Sequence, residues 1–166
     1  AGRFTMGDAP ATLLREKHVT SLRAAFELVA EGQAQSVVSA GHSGAMMVAG
    51  KAVLGTLAGI DRPAIATVLS LRSGALVLID SGANVDCKPR YLLQFAHMGE
   101  AYARLMLGVA APRVGLLNNG SEPGKGNELT REAFTLLQQG CERFVGNIEP
   151  QGLFSGRVDV AVCDGF

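Results

Sequence analysis

The sequence predicts an α/β sandwich built mostly on a parallel sheet. Short, nearly continuous apolar runs alternate with segments of helical period, as in strands buried on both faces. Glycine-bearing polar turns follow three of those runs, where such folds gather ligands. The composition agrees: 48 % of the 166 residues are hydrophobic and 18 % are charged. That is enough apolar material for a core, and too little charge for a disordered chain.

Each element has a local reason. A short helix is expected over Pro10–Lys17. Thr20 or Ser21 can cap the next helix, in which Leu22, Ala25, Phe26 and Val29 recur at helical spacing and Gly32 sits at the C′ position. Ser36–Ser39 reads as a buried strand. A small-residue helix follows over residues 44–57, carrying Met46, Met47, Val48, Val53 and Leu57. Gly50 and Gly55 weaken it by ~1 kcal/mol each relative to Ala, and close packing against the sheet would account for them. Ala64–Leu69 and Ala75–Ile79 read as strands. The Arg72-Ser73-Gly74 turn between them is too short for a parallel crossover, so the pair is a hairpin. A long helix spans Arg90 to Leu107. Val114–Leu117 is a strand, Glu128–Gln139 a helix ended by Gly140, Phe144-Val145 a short strand, and Val158–Val162 an apolar strand.

Several function classes are excluded or disfavoured. Lys plus Arg equals Asp plus Glu, giving no net charge and no basic surface for nucleic acid. The three cysteines, Cys87, Cys141 and Cys163, form no CxxC pair, and His18, His42 and His97 show no ligand spacing. No metal site is expected, and the thiols read as free in a reducing cytoplasm. There is no long apolar span and no signal pattern. The abrupt start at Ala1 and stop at Phe166 read as a single α/β domain, 1–166, cut from a longer protein. The first loop lacks the Gly-Lys-Ser/Thr ending of a P-loop, and a Gly-x-Ser-x-Gly elbow and a GxGxxG fingerprint are missing, which disfavours a serine hydrolase and a dehydrogenase.

The three polar turns carry the chemistry. The first is Ser39-Ala40-Gly41-His42-Ser43-Gly44-Ala45, at the start of a helix. Its amides and the helix dipole suit an anion, with Ser39, Gly41, Ser43 and Gly44 as the phosphate cradle. His42 reads as a hydrogen-bond donor or proton shuttle, and equally as a solvated loop histidine. The second turn, Asp80-Ser81-Gly82-Ala83-Asn84-Val85-Asp86, offers carboxylates for acid/base work, though Asp and Asn more commonly cap turn amides. The third, Asn118-Asn119-Gly120-Ser121-Glu122-Pro123-Gly124-Lys125-Gly126, carries a lysine able to meet a phosphate as a point charge. Asp164 ends the last strand and either orients a partner or caps a turn.

Together these segments resemble the PlsX family, the phosphate acyltransferases of bacterial fatty acid and phospholipid synthesis. The first turn is similar to that family's Ser-Ala-Gly-Asn-Thr-Gly-Ala, with His42 and Ser43 in place of Asn and Thr. Residues 80–87 resemble Asp-x-Gly-Ala-Asn-x-Asp-Cys. Residues 118–126 resemble Asn-x-Gly-x-Glu-x-x-Lys-Gly, and residues 159–166 resemble Asp-Val-x-Val-x-Asp-Gly-Phe. The family extends beyond both ends of this chain.

The resemblance implies a three-layer α/β/α sandwich with a Rossmann-like sheet, related to isocitrate dehydrogenases and phosphotransacetylases. It implies transfer of a long-chain acyl group from acyl carrier protein to inorganic phosphate without a cofactor. It also implies a cytoplasmic homodimer, peripherally associated with the inner face of the membrane. In that chemistry bound phosphate attacks the thioester directly. His42, Asn84 and Lys125 are then the catalytic candidates, and Asp86, Asn118, Glu122 and Asp164 orient donors. The alternatives are an acyl-coenzyme A phosphotransacetylase and a non-catalytic domain that holds a phosphorylated ligand.

Overall fold

The computed structural model describes Gly7, residues 20–72 and residues 74–166. The expected helix over Pro10–Lys17 and His18 lie outside the described residues. The chain forms two compact units, residues 1–63 and 64–166.

In the first unit, helix α1 spans Ser21–Ala30 and helix α2 spans Ser43–Leu54. Thr20 caps α1 by accepting from the Arg23 amide at 3.2 Å. Glu31 is the C-cap, and Gly32 follows with φ +72°. α2 stops at Leu54, three residues short of the expected end, because Gly55 turns out of the helix at φ +76°. Gly50 is explained by α1 rather than by the sheet: a Cβ there would lie 3.3 Å from the Phe26 ring. The strand expected over Ser36–Ser39 is not formed, and Val38 is 95 % exposed. An apolar run becomes a strand only when a neighbour accepts its ladder, and among the described residues none does.

The second unit carries a five-stranded sheet. Its strands are β1 (Ala66–Leu71), β2 (Gly74–Ile79), β3 (Val114–Leu117), β4 (Phe144–Ile148) and β5 (Val160–Val162), in the order β1-β2-β5-β3-β4. β1 and β2 form the expected antiparallel hairpin, paired from Ala66↔Ile79 to Leu71↔Gly74. All other pairings are parallel. Helix α3 (Pro89–Leu107) links β2 to β3, helix α4 (Glu128–Gly140) links β3 to β4, and a 3-10 turn at Pro150–Phe154 precedes β5. The last strand therefore slots into the middle of the sheet.

Alternation divides the strands between two apolar clusters, as period-2 geometry requires. Val77, Ile79, Val114, Leu116, Val160 and Val162 pack with Leu92, Phe95 and Ala96 of α3 and with Ala133 and Leu137 of α4. Leu76, Ile148, Leu153, Val158 and Ala161 form a smaller cluster. Two glycines mark close approaches, one between α3 and the sheet and one between neighbouring strands. A Cβ at Gly99 of α3 would lie 2.5 Å from Val160 Cγ1, and one at Gly115 of β3 would lie 2.8 Å from Ile148 Cγ2.

Several boundaries differ from the sequence reading. β1 begins and ends two residues later, and β4 runs three residues further. β5 is shorter, starting at Val160, and Asp159, ahead of it, is held by Arg113. Arg113 donates to that carboxylate from Nε at 2.9 Å and from Nη2 at 3.1 Å. The 3-10 turn was not expected.

Candidate functional site

The first turn is organised by its own side chains. Ser39 Oγ accepts from the Gly41 amide at 3.1 Å, which curls the chain towards α2. His42 is the N-cap of α2: its Nδ1 accepts from the Gly44 amide at 3.1 Å and its carbonyl accepts from Met46 N. No acidic residue occupies the first turn of α2. The helix dipole therefore presents positive character at Ser43 and Gly44, both on the α2 N-terminus. Of the two readings open for His42, the structure supplies a definite local task, capping α2.

In the second unit, parallel register brings the remaining candidates to one edge. Ile79 and Leu116 both pair with Val162. The residues that follow, Asp80, Asn118 and Asp164, thus leave the carboxyl ends of adjacent strands. β1 runs the other way and begins at this same edge.

The second turn is built around Asp80, which is 1 % exposed. Its Oδ1 accepts from Ile65 N at 2.8 Å, and its Oδ2 from Asn84 N at 2.6 Å and Asn84 Nδ2 at 2.9 Å. The Ala83 amide bridges both oxygens. Asn84 is buried, and one of its amide protons goes to Asp80 rather than outward. Its carbonyl accepts from Gly165 N at 2.9 Å and from the Cys87 thiol at 3.2 Å. Asp86 is exposed and Asp164 half-buried. Cys163 donates to the Asp80 carbonyl at 3.1 Å. Burial, aided by the charges of Asp164 and Asp80, pushes the Cys163 thiol up to about 12, so it is inert as a nucleophile.

The third turn is clamped by two amides. Asn118 Nδ2 donates to the Lys125 carbonyl at 3.1 Å, while its Oδ1 accepts from Asn119 N at 2.8 Å. Asn147, buried on β4, donates from Nδ2 to the Glu122 carbonyl at 2.8 Å. A Cβ at Gly120 would lie 2.8 Å from Lys125 Cγ and 3.0 Å from Glu122 Oε2, so both side chains pack over that bare glycine. Lys125 and Glu122 are exposed. Gly126 takes φ +92°, and the space of a side chain there is held by Thr130 and Asn118.

In the sequence Asp80 is one of several loop carboxylates, and neither Asn147 nor Gly165 stands out from its neighbours. The Asp-x-Gly-x-Asn pattern was the available signal for Asp80. Nothing local marks Asn147, because its partner lies 25 residues away. Among the described residues no three His, Cys, Asp or Glu side chains gather as a metal site.

The whole chain, residues 1–166, matches the family model described as "Fatty acid synthesis protein". It is 52 % identical over 161 residues to the phosphate acyltransferase of Syntrophotalea carbinolica, covering 97 % of this chain and 46 % of that protein. It is 55 % identical over 161 residues to the phosphate acyltransferase of Pelotomaculum thermopropionicum, covering 97 % and 47 %. The chain thus spans a little under half the length of these relatives. The EutD phosphotransacetylase from Staphylococcus aureus superposes with a TM-score of 0.61 at 17 % identity, over 85 % of this chain and 50 % of that one. That likeness is one of fold, and it agrees with the α/β architecture.

Proposed function

We propose, because the chain belongs to the fatty acid synthesis protein family, that the whole protein transfers a long-chain acyl group from acyl carrier protein to inorganic phosphate. The observation that carries the reading is the identity above 50 % with proteins named phosphate acyltransferase. The α2 N-terminus supports it, since the positive end of the helix dipole, with no acidic residue in the first turn, suits a phosphate dianion.

A phosphate oxygen attacks the thioester carbonyl carbon, the C–S bond breaks, and the sulfur leaves with its electron pair and takes a proton. The products are acyl phosphate and the free carrier thiol. No protein nucleophile is needed; the enzyme's task is to hold phosphate against the carbonyl and to stabilise developing charge. Ser39, Gly41, Ser43 and Gly44 cradle the phosphate. Lys125 is the candidate counter-charge and His42 the candidate hydrogen-bond donor. Asn84 shapes the second turn, and Asp86, Asn118, Glu122 and Asp164 orient donors and loops. The working protein is a cytoplasmic homodimer that meets the membrane peripherally. This fits the described residues, where no helix is long and apolar enough to cross a membrane.

The test is acyl-phosphate formation by the full-length protein, trapped with hydroxylamine, using palmitoyl-acyl carrier protein with and without phosphate. A phosphate-dependent signal is expected, and His42→Ala and Lys125→Ala should each raise the KM for phosphate. Turnover with acyl-coenzyme A alone would reassign the carrier. Silence with both donors would leave a binding role.

A further inference from the structure

The scheme above leaves Asp80 without a task, although it is the most deeply placed carboxylate at the strand edge. Four donor groups converge on it: Ile65 N, Ala83 N, Asn84 N and Asn84 Nδ2. A carboxylate has about four lone-pair sites, so these donors occupy it. An oxygen so engaged has no lone pair for a substrate proton, and its charge would repel a phosphate dianion if it faced one.

The same contacts do something else. They join the entry of β1 to the turn that follows β2. The turn then joins the residues that follow β5, because Gly165 N donates to the Asn84 carbonyl at 2.9 Å. That approach is too close for any side chain: a Cβ at Gly165 would lie 2.7 Å from Asn84 N and 2.9 Å from Ala83 N. Gly165 immediately follows Asp164, so the chain carrying Asp164 is registered against the turn carrying Asp86.

We propose that Asp80 is a positioning residue of the acyl-transfer site, acting through Asn84 and Gly165 to hold residues 81–87 and Asp164 in register without touching substrate. This rests on the acyltransferase reading. In Asp80→Asn the shape is kept, but an NH2 group faces N–H donors, so part of the turn must move away. A misplacement of about 1 Å can lower turnover by about 10²-fold.

The experiment uses the full-length enzyme and compares wild type, Asp80→Asn, Asn84→Ala and the double variant. It measures kcat and KM for phosphate per folded molecule, the pH profile of kcat, and amide exchange at Asn84 and Gly165. Asp80→Asn should lose about 10²-fold in kcat with a smaller change in KM. The profile should keep its shape, exchange should accelerate at both amides, and the double variant should be little worse than Asp80→Asn. Asp80→Glu keeps the charge but shifts it by one methylene, and should rescue only partly; it replaces Asp80→Asn if that variant does not fold. A variant with wild-type kcat per folded molecule would overturn the proposal, leaving Asp80 a matter of stability alone. Loss of the acidic limb of the profile would also overturn it, by making Asp80 a base. Additive effects of the two substitutions would do the same. A silent wild type would instead refute the acyltransferase reading, and with it this role.

Discussion

Replacing Gly99 by alanine tests how closely α3 rides over the centre of the sheet. The new Cβ would stand 2.5 Å from Val160 Cγ1 and 3.2 Å from Ile79 Cγ2. Carbon atoms prefer about 3.5–4.0 Å, so the first contact is short by roughly an ångström. Val160 and Ile79 are both β-branched and buried, with little rotamer freedom to yield. The helix must therefore lift, which forfeits dispersion contacts along its length. Overpacking of this kind costs about 1–3 kcal/mol. Alanine returns up to about 1 kcal/mol through its better helix propensity. A contact this short belongs to the upper part of that range, about 2–3 kcal/mol, so the net expectation is a loss of about 1–2 kcal/mol. Urea denaturation with a fixed slope would measure it. Val160→Ala removes the clashing methyl, so the double variant should recover about 1 kcal/mol relative to additivity. Gly140→Ala is the control: its Cβ would meet only the Leu93 methyls, at 3.1 and 3.2 Å, and these can swing aside. A Gly99→Ala protein as stable as wild type, or strict additivity with Val160→Ala, would refute the argument.

Asp159 faces two opposing effects: burial pushes its carboxyl up, but the Arg113 side-chain and backbone hydrogen bonds and the guanidinium charge outweigh this and hold it below the usual range. Its contribution should be full above about pH 4 and lost as pH falls through the lowered native value; Asp159→Asn should cost about 1 kcal/mol at pH 7, a difference in thermal stability that shrinks in acid. His42→Ala removes the acceptor for Gly44 N and should cost about 1 kcal/mol of α2 stability. His42→Asn should restore the melting temperature through a substitute cap, while lacking the imidazole donor in phosphate kinetics. At pH 8 a thiol with a pKa of about 12 is roughly 10⁻⁴ ionised. Mass spectrometry after iodoacetamide treatment should therefore find native Cys163 unmodified when free thiols in solution are fully alkylated; rapid labelling would contradict its environment.

Much of the architecture was legible locally. Thr20 sits as the cap of α1, Gly32 follows its end with positive φ, and the short connection between β1 and β2 makes a hairpin. Period and turn chemistry act within a few residues, so they can be read from a few residues. The polar turns at strand ends, and the resemblance they carry, were legible for the same reason.

Other features depend on what arrives from far along the chain. Ser36–Ser39 has strand composition, but a strand exists only if another segment completes its ladder, and sequence pattern does not reveal that partner. Asn147 acquires its task from Glu122, and Asp80 from Ile65 as well as its own turn. Gly99, Gly115 and Gly165 look interchangeable with other glycines, yet each marks a place where another segment leaves no room for a Cβ. Local pattern carries most of the helices and strands of the second unit and the chemistry of the turns between them. Tertiary structure decided which turns share an edge, because β5, the last strand, pairs between β2 and β3 and draws Asp80, Asn118 and Asp164 together.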